Sequence, residues 1–255
     1  MKFKATSYHF DLLKDNDRVS AFFEAINDYS GNNDLAYDLG CGSGVLSYFL
    51  SESFHKIIAV EIDSKAAECA SDNLNEFENV TVINSDVLDC NFRQKADLIV
   101  CEMMDTALID EEEVQVLNHA RKALKNGGEI IPKAIVNFAE LVNMERDYIH
   151  WDENAKYEIL SNTVNYSKID FKDEINPDFE KDIEFKANKT GNANGIKITT
   201  VTILNDNMVC GPTPMFNPPL LIPIDEIDVK CNDLINVKLK YIMGQGIETV
   251  STQIM

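Results

Sequence analysis

Between Leu35 and Ile131, short apolar runs alternate with segments whose apolar residues recur at helical spacing. The runs Leu35–Leu39, Lys56–Glu61, Val80–Asn84, Ala96–Cys101 and Glu129–Ile131 predict strands. Val45–Ser51, Ser64–Asn75 and the segment from about Glu111 to Lys125 predict helices, the last stopped by the glycines of "KNGG". Strands and helices that alternate in this way form an α/β, doubly wound parallel sheet, because each parallel crossover needs a covering helix. Past Pro132 the period changes to two. In "INVKLKY", Ile235, Val237, Leu239 and Tyr241 alternate with Asn236, Lys238 and Lys240, and "GIKITTVTIL" and "EIDVKC" follow the same rule. That is half-buried antiparallel sheet. The expected organisation is an α/β domain over residues 1–133, with a helical segment at its start, and a β-rich barrel or sandwich over 134–255. An acid-rich stretch around 148–194, containing "NKTGNANG", reads as an insertion with loops.

Ligands of doubly wound sheets bind at the carboxyl ends of the strands. Gly40–Gly44, Glu61, Asp86 and Glu102 all fall there. The segment Tyr37–Gly44, "YDLGCGSG", is a strand that runs through a tight glycine turn into a helix, and Glu61 ends the next strand. Glycines let a backbone approach a ligand closely, and an acid at the second strand end can grip ribose hydroxyls, so a nucleoside-containing cofactor is expected. A nicotinamide dinucleotide calls for G-x-G-x-x-G, whereas these glycines are spaced G-x-G-x-G behind Asp38. A carboxylate at that place opposes a pyrophosphate and suits a cationic amino-acid moiety.

Composition narrows the field further. The chain of 255 residues is 45% hydrophobic and 26% charged, with a formal net charge of −20. Acids spread along the chain repel phosphate backbones, so nucleic acid is disfavoured as a partner, and cationic or small-molecule partners fit better. The six cysteines show no C-x-x-C spacing, which gives no expectation of a metal site or disulfide framework. "MKFKATSYHF" lacks the apolar core of a signal peptide, and no run reaches membrane-spanning length; a cytoplasmic protein is expected, with no membrane partner.

The glycine loop with Asp38 resembles the first motif of the class I S-adenosylmethionine-dependent methyltransferases, whose cofactor domain is Rossmann-like. That resemblance implies S-adenosylmethionine as cofactor, held at its methionine part by Asp38 and the backbone of Gly40, Gly42 and Gly44, and at its ribose by Glu61. Asp86, with Val87 beside the ring, would contact the adenine; a capping acid is the competing reading of Asp86. After the fourth strand comes "CEMMDTALIDEEEV", where Glu102 and Glu111 stand nine positions apart. Two such carboxylates can bracket a guanidinium, which is planar, cationic and able to give paired hydrogen bonds. Glu111 also reads as an acid in the first turn of the following helix, where the dipole favours it.

This segment resembles the double-glutamate hairpin of the protein arginine methyltransferases. "HFDLLKDNDR", His9 to Arg18, is similar to that family's "HEEMLKDEVR". The resemblance implies that Glu102 and Glu111 are catalytic, that Arg18 pairs with the cofactor carboxylate, and that Asp15 belongs to the acceptor-site network. It also implies a β-barrel after the cofactor domain and leaves open a homodimer built by an arm, for which Asn165 to Asn194 is the candidate stretch. The chain departs from the family in three places: "EMMDT" stands where the hairpin has "EWMGY", "PMF" (Pro214–Phe216) where a Thr-His-Trp loop is expected, and the aromatic helix before His9 is absent or shortened. The leading expectation is methyl transfer to an arginine of a protein substrate. The alternatives are another acceptor, such as a small cationic metabolite, a different protein side chain or RNA, and a catalytically silent cofactor-binding relative.

Overall fold

The computed structural model describes residues 3–152 and 155–255. Helices α1 (Ser7–Lys14) and α2 (Asn16–Asn27) precede five strands: β1 (Ala36–Leu39), β2 (Ile57–Glu61), β3 (Val80–Asn84), β4 (Ala96–Cys101) and β5 (Leu124–Ile131). The intervening helices are α3 (Val45–Ser51), α4 (Ser64–Leu74) and α5 (Glu113–Ala120). The strands are all parallel, in the order β3-β2-β1-β4-β5. β1 and β4 are buried throughout, as expected of central strands covered on both faces. Because β1 lies between β2 and β4, the order reverses there, and a crevice opens beyond the ends of β1 and β4. The expected Rossmann-like sheet is therefore present.

One element differs from the sequence reading. The helix expected to run to Lys125 ends at Ala120, passes through a 3-10 turn (Arg121–Ala123), and gives way to β5. "KNGG" is thus not a helix stop but an irregularity inside β5, where the pairing with β4 skips from Ala96–Leu124 to Leu98–Glu129. Lys125 causes this: its Nζ lies 2.9 Å from the buried Asp97 carboxylate, which also accepts the Asp34 and Leu35 amides at 3.1 Å. Pairing with Asp97 draws the chain into the sheet one turn early.

The rest of the chain is β-structure: β6 (Ala134–Met144), β7 (His150–Trp151), β8 (Tyr157–Ile159), β9 (Val164–Asp170), β10 (Asp178–Lys186), β11 (Gly191–Ile203), β12 (Val209–Cys210), β13 (Leu220–Val229), β14 (Leu234–Ile242) and β15 (Ser251–Ile254). β7-β13-β11-β6-β8 form an antiparallel sheet, with β12 on β11 and β9 on β6, and β10-β14-β15 form a second. The acidic stretch around 148–194 is therefore not an insertion of loops. Apart from residues 153 and 154, which lie outside the described residues, it supplies β7 to β10 and the start of β11. The candidate arm from Asn165 to Asn194 is mostly strand, with β10 paired along its length to β14. No helix among the described residues is long and apolar enough to cross a membrane.

The main apolar core runs through both parts, with two smaller clusters beside it. Phe22 of α2 meets Phe216 of the β part edge-on, with ring centroids 5.8 Å apart. The link between β4 and α5, which carries Glu102 and Glu111, lies on the β part. Ala107 N donates to Thr200 Oγ1 (2.8 Å), and Thr200 Oγ1 donates to Asn137 Oδ1 (2.6 Å). The Tyr241 hydroxyl donates to Ala107 O (3.0 Å), and Thr106 Oγ1 to Pro218 O (2.6 Å). The β-rich part thus serves as the base on which the hairpin is mounted.

Candidate active site

A cavity of about 310 Å³ opens at the carboxyl ends of β1, β2 and β4. Gly40 and Gly42 form one wall, Glu61 stands at the side, and Glu102, Met103, Met104 and Glu111 face them from the hairpin. α1 and Arg18 of α2 close the remaining side. Gly40 and Gly42 both have positive φ (+72° and +54°), which side-chain-bearing residues rarely adopt. A Cβ on Gly42 would lie 2.6 Å from His9 Cδ2, and one on Gly40 would strike Met103. The loop therefore exposes bare backbone to the cavity while α1 and the hairpin press against it.

Each acid in the sheet is positioned by a short connection. Glu61 ends β2 and accepts the Gly42 amide and the Asp63 amide, both at 2.8 Å, so it fixes the glycine turn across the crevice. Asp38 is buried and accepts the Ser47 hydroxyl at 2.6 Å. It stands behind the loop rather than on the cavity wall. Burial pushes its carboxyl up to about 6, against the pull of the Ser47 hydrogen bonds. Gly44 begins α3 and packs towards Leu74 and Ala70, away from the cavity. Asp86 caps a 3-10 turn, accepting Leu88 N at 2.8 Å, and Val87 beside it is buried; neither lines the cavity.

Glu102 and Arg18 form an ion pair, with Arg18 only 3% exposed. Arg18 Nη2 also donates to Leu12 O at 3.2 Å, whereas its buried Nε has no hydrogen-bond partner among the described residues. Burial pushes Glu102 up to about 7; Arg18 pulls it back, and Glu111 pushes it higher. Burial also raises Glu111, followed by its acidic neighbours Asp110 and Glu112. Glu111 precedes α5 rather than belonging to its first turn, and its side chain reaches the cavity that Glu102 lines. The structure thus brings together Arg18, Gly40, Gly42, Glu61, Glu102 and Glu111, and leaves Asp38, Gly44, Asp86 and Val87 off this wall.

The fold and this constellation place the chain among known proteins. A methyltransferase-domain family model matches residues 36–128, the segment that contains β1 to β4 and both glutamates. A chain of the Trypanosoma brucei PRMT1 enzyme–prozyme heterotetrameric complex with AdoHcy superposes with a TM-score of 0.80 over 98% of this chain and 96% of that one, at 16% identity. Residues 36–128 form a class I S-adenosylmethionine-dependent methyltransferase domain. The chain shares 43% identity over 255 residues, the whole of both chains, with an uncharacterized protein of Methanothermobacter thermautotrophicus. A probable protein arginine N-methyltransferase 6.1 of Oryza sativa subsp. indica is 32% identical over 146 residues, 54% of this chain and 38% of that one. The methyltransferase is thus an enzyme of the Rossmann-like class that resembles the arginine-specific branch.

The cavity suits the cofactor of this class. Gly40 and Gly42 leave a cradle that any side chain would fill, and Arg18 Nε is an orphaned buried donor suited to a carboxylate. Two contributors, Tyr8 and Thr213, escape the sequence reading, and a third, Met215, lies in the "PMF" segment read there only as a departure. Tyr8 lines the cavity, and its phenol is raised by burial and then by the charges of Glu111 and Glu102, so an aromatic ring stands near both acids. Thr213 donates to Asp15, which in turn accepts Arg18 N at 3.2 Å and so caps the helix that carries the arginine. Met215 reaches the cavity from the same loop. The match of His9–Arg18 ended one residue short of Tyr8, and the "PMF" alignment began one residue after Thr213.

The buried acids give the methyltransferase an unusual response to pH. Burial raises Asp105 to about 7 and Glu113 to about 8, alongside Glu102 at about 7 and Asp38 at about 6. Between the ordinary carboxylate range and these values, the folded chain holds protons that the unfolded chain has released. Stability therefore falls as pH rises, by about 1.4 kcal/mol per pH unit for each proton so held. The expected result is a melting temperature that is higher near pH 5 than at pH 8. Thermal unfolding across that window checks it, and a flat or rising profile contradicts it.

Proposed function

We propose that this methyltransferase transfers a methyl group to a guanidinium nitrogen of a protein arginine, with Glu102 and Glu111 as the pair of carboxylates that receive the guanidinium. The observation that carries the reading is that both side chains line one cavity with the bare glycine loop and Arg18. A cation entering there meets the Tyr8 ring and the acids Glu102, Glu111 and Glu112, with Glu61 across the cavity. Its charge draws Glu102 and Glu111 into their ionised forms, since an opposite charge nearby favours the carboxylate.

Toward the cofactor, Arg18 would take the carboxylate, the amides of Gly40 and Gly42 the methionine part, and Glu61 the ribose hydroxyls. Asp38 and Gly44 would support the glycine turn from behind, and Asp86 with Val87, off this wall, are the candidates for the adenine. Both Glu61 oxygens already accept an amide, and each keeps a lone pair for a hydroxyl. S-adenosylmethionine supplies an electrophilic methyl group on its sulfonium. The chain's own part is to align the acceptor nitrogen and to hold positive charge away from it. A guanidinium clamped by two carboxylates keeps its charge on the clamped nitrogens and leaves the remaining one more nucleophilic.

A second reading keeps methyl transfer but changes the acceptor to another cationic group. It is favoured by Thr106, which replaces the aromatic of the family hairpin and is fully buried on Pro218 rather than facing the cavity. The deciding experiment transfers label from methyl-labelled S-adenosylmethionine into a nuclease-treated, dialysed protein extract, followed by acid hydrolysis and amino-acid analysis. Label in methylarginine is the expected result. Label confined to other residues overturns the arginine assignment in favour of the second reading.

A further inference from the structure

Two buried carboxyls beside the cavity have no place in the clamp itself. Asp105, 8% exposed, accepts Asp110 N through Oδ2 at 3.2 Å and Glu111 N through Oδ1 at 3.4 Å. Glu113, fully buried in the first turn of α5, accepts Met103 N through Oε2 at 3.0 Å, while its Oε1 has no hydrogen-bond partner. Neither lines the cavity. Met103 follows Glu102 directly, so each member of the clamp sits at a backbone amide held by a buried acid.

The hairpin between them is strained. Ala107 and Leu108 have consecutive left-handed φ values, 61° and 59°. Such residues persist only where the surroundings over-determine them. Bonds from the β part fix the tip: Tyr241 to Ala107 O, and the Gly244 and Gly246 amides to Leu108 O and Ile109 O, all at 3.0 Å. These do not fix the two ends, where the glutamates stand. At the ends Arg18 holds the Glu102 side chain, and among the described residues the side chains that hold the backbone amides there are Asp105 and Glu113.

We propose that Asp105 and Glu113 are positioning residues that set the separation and direction of Glu102 and Glu111 by gripping the amides at either end of the hairpin. The inference rests on the proposed clamp, although its first test does not. The charged groups facing Asp105 are Asp110 and Glu111 of its own hairpin, with the Tyr241 phenol from β14; those facing Glu113 are Glu102 and Glu111, with the Cys101 thiol of β4. None of these groups is a cation, so Asp105 is held by the amides it accepts, and Glu113 by the Met103 amide beside the Cys101 thiol.

Asp105→Asn offers one acceptor to two amides and turns an NH2 group against the other. Glu113→Gln does the same more mildly, because Met103 N is its one backbone partner. Amide hydrogen exchange is measured first. Asp110 and Glu111 should exchange roughly tenfold faster or more in Asp105→Asn, and Met103 in Glu113→Gln, while β1 and β4 amides stay protected. Unchanged exchange in both variants overturns the proposal whatever the acceptor proves to be.

A double-mutant cycle on whichever acceptor takes label then separates positioning from general support. Asp105→Asn should lower kcat/KM for the acceptor roughly 10–100-fold, as misplacement by a fraction of an ångström does, with cofactor Kd unchanged. Combined with Glu111→Gln, it should cost nothing beyond Glu111→Gln alone. Independent, multiplying losses would show that Asp105 acts on the fold rather than through Glu111. If Asp105→Asn fails to fold, exchange at Met103 in Glu113→Gln decides alone. A failure of the arginine reading shows separately, as the absence of methylarginine from wild-type label.

Discussion

Replacing Glu102 by Gln is expected to lower methyl transfer by about 10³-fold or more while changing cofactor Kd by no more than about threefold, a loss near 4 kcal/mol in the transition state. The split follows from where the side chain sits. Glu102 faces the acceptor side of the cavity and touches the cofactor side only through Arg18. Gln keeps an acceptor oxygen for Arg18, so the arginine remains in place. It removes the negative charge that would polarise the guanidinium. A companion measurement is the pH profile. With Glu102 raised to about 7 by burial, kcat/KM for the acceptor should climb through neutrality as the carboxylate ionises, and the residual rate of Glu102→Gln should lack that limb. Initial rates with labelled cofactor, together with calorimetric titration of the cofactor product, check both parts. A variant with near wild-type activity would remove Glu102 from the clamp.

What the sequence made legible were features written into local chain geometry. The strand–glycine–helix turn at Tyr37–Gly44 declares itself because the positive φ values of Gly40 and Gly42 exclude other residues. The end of β2 at Glu61 follows from an apolar run with an acid at its close. Features that depend on distant partners were hidden. Asp178–Lys186 reads as an acidic loop because only Ile183 and Phe185 of that strand are buried. Its acids are neutralised from the neighbouring strand: Lys238 lies 2.9 Å from Glu180 and 2.7 Å from Asp182, and Lys240 lies 2.9 Å from Glu180. Cross-strand pairing of this kind makes a strand of a segment whose own alternation is weak. Lys125 likewise left no local sign that Asp97 would pull it into the sheet.

The same contrast holds for the site. Arg18, Glu102 and Glu111 could be singled out because motif spacing reports them. The sequence could not say that Arg18 would bind Glu102, or that Thr213, far along the chain, would hold Asp15 and through it the start of α2. It also could not distinguish acids that line a wall from acids that brace it. Asp38 and Asp105 are as acidic as Glu61 in the sequence; in the fold both turn inward to hydrogen-bond donors of the protein. A motif names the residue type at a strand end, whereas packing decides which way the side chain faces.

Arg18→Ala is expected to be the most damaging single change, because it acts on cofactor, acceptor and fold together. Truncation removes the buried donor, Nε, that suits the cofactor carboxylate, and Kd for the cofactor should rise about 100-fold, the loss of a charge-assisted pair worth roughly 3 kcal/mol. It also strands Glu102, 13% exposed as a side chain, without its counter-charge. Breaking a buried pair from one side typically costs about 3–5 kcal/mol, and the remaining acid escapes the cost by protonating. Glu102 would then be neutral at physiological pH and unable to hold a guanidinium, so transfer should fail even at saturating cofactor. Adding Glu102→Gln to Arg18→Ala removes the stranded charge. The double variant should regain much of the lost melting temperature but none of the activity. Thermal unfolding of the two single variants and the double, with calorimetry on each, separates the contributions. If Arg18→Ala melted like the wild type and bound cofactor as tightly, the pair would contribute to neither stability nor binding, and the coupling of cofactor and acceptor sites through Arg18 would have to be abandoned.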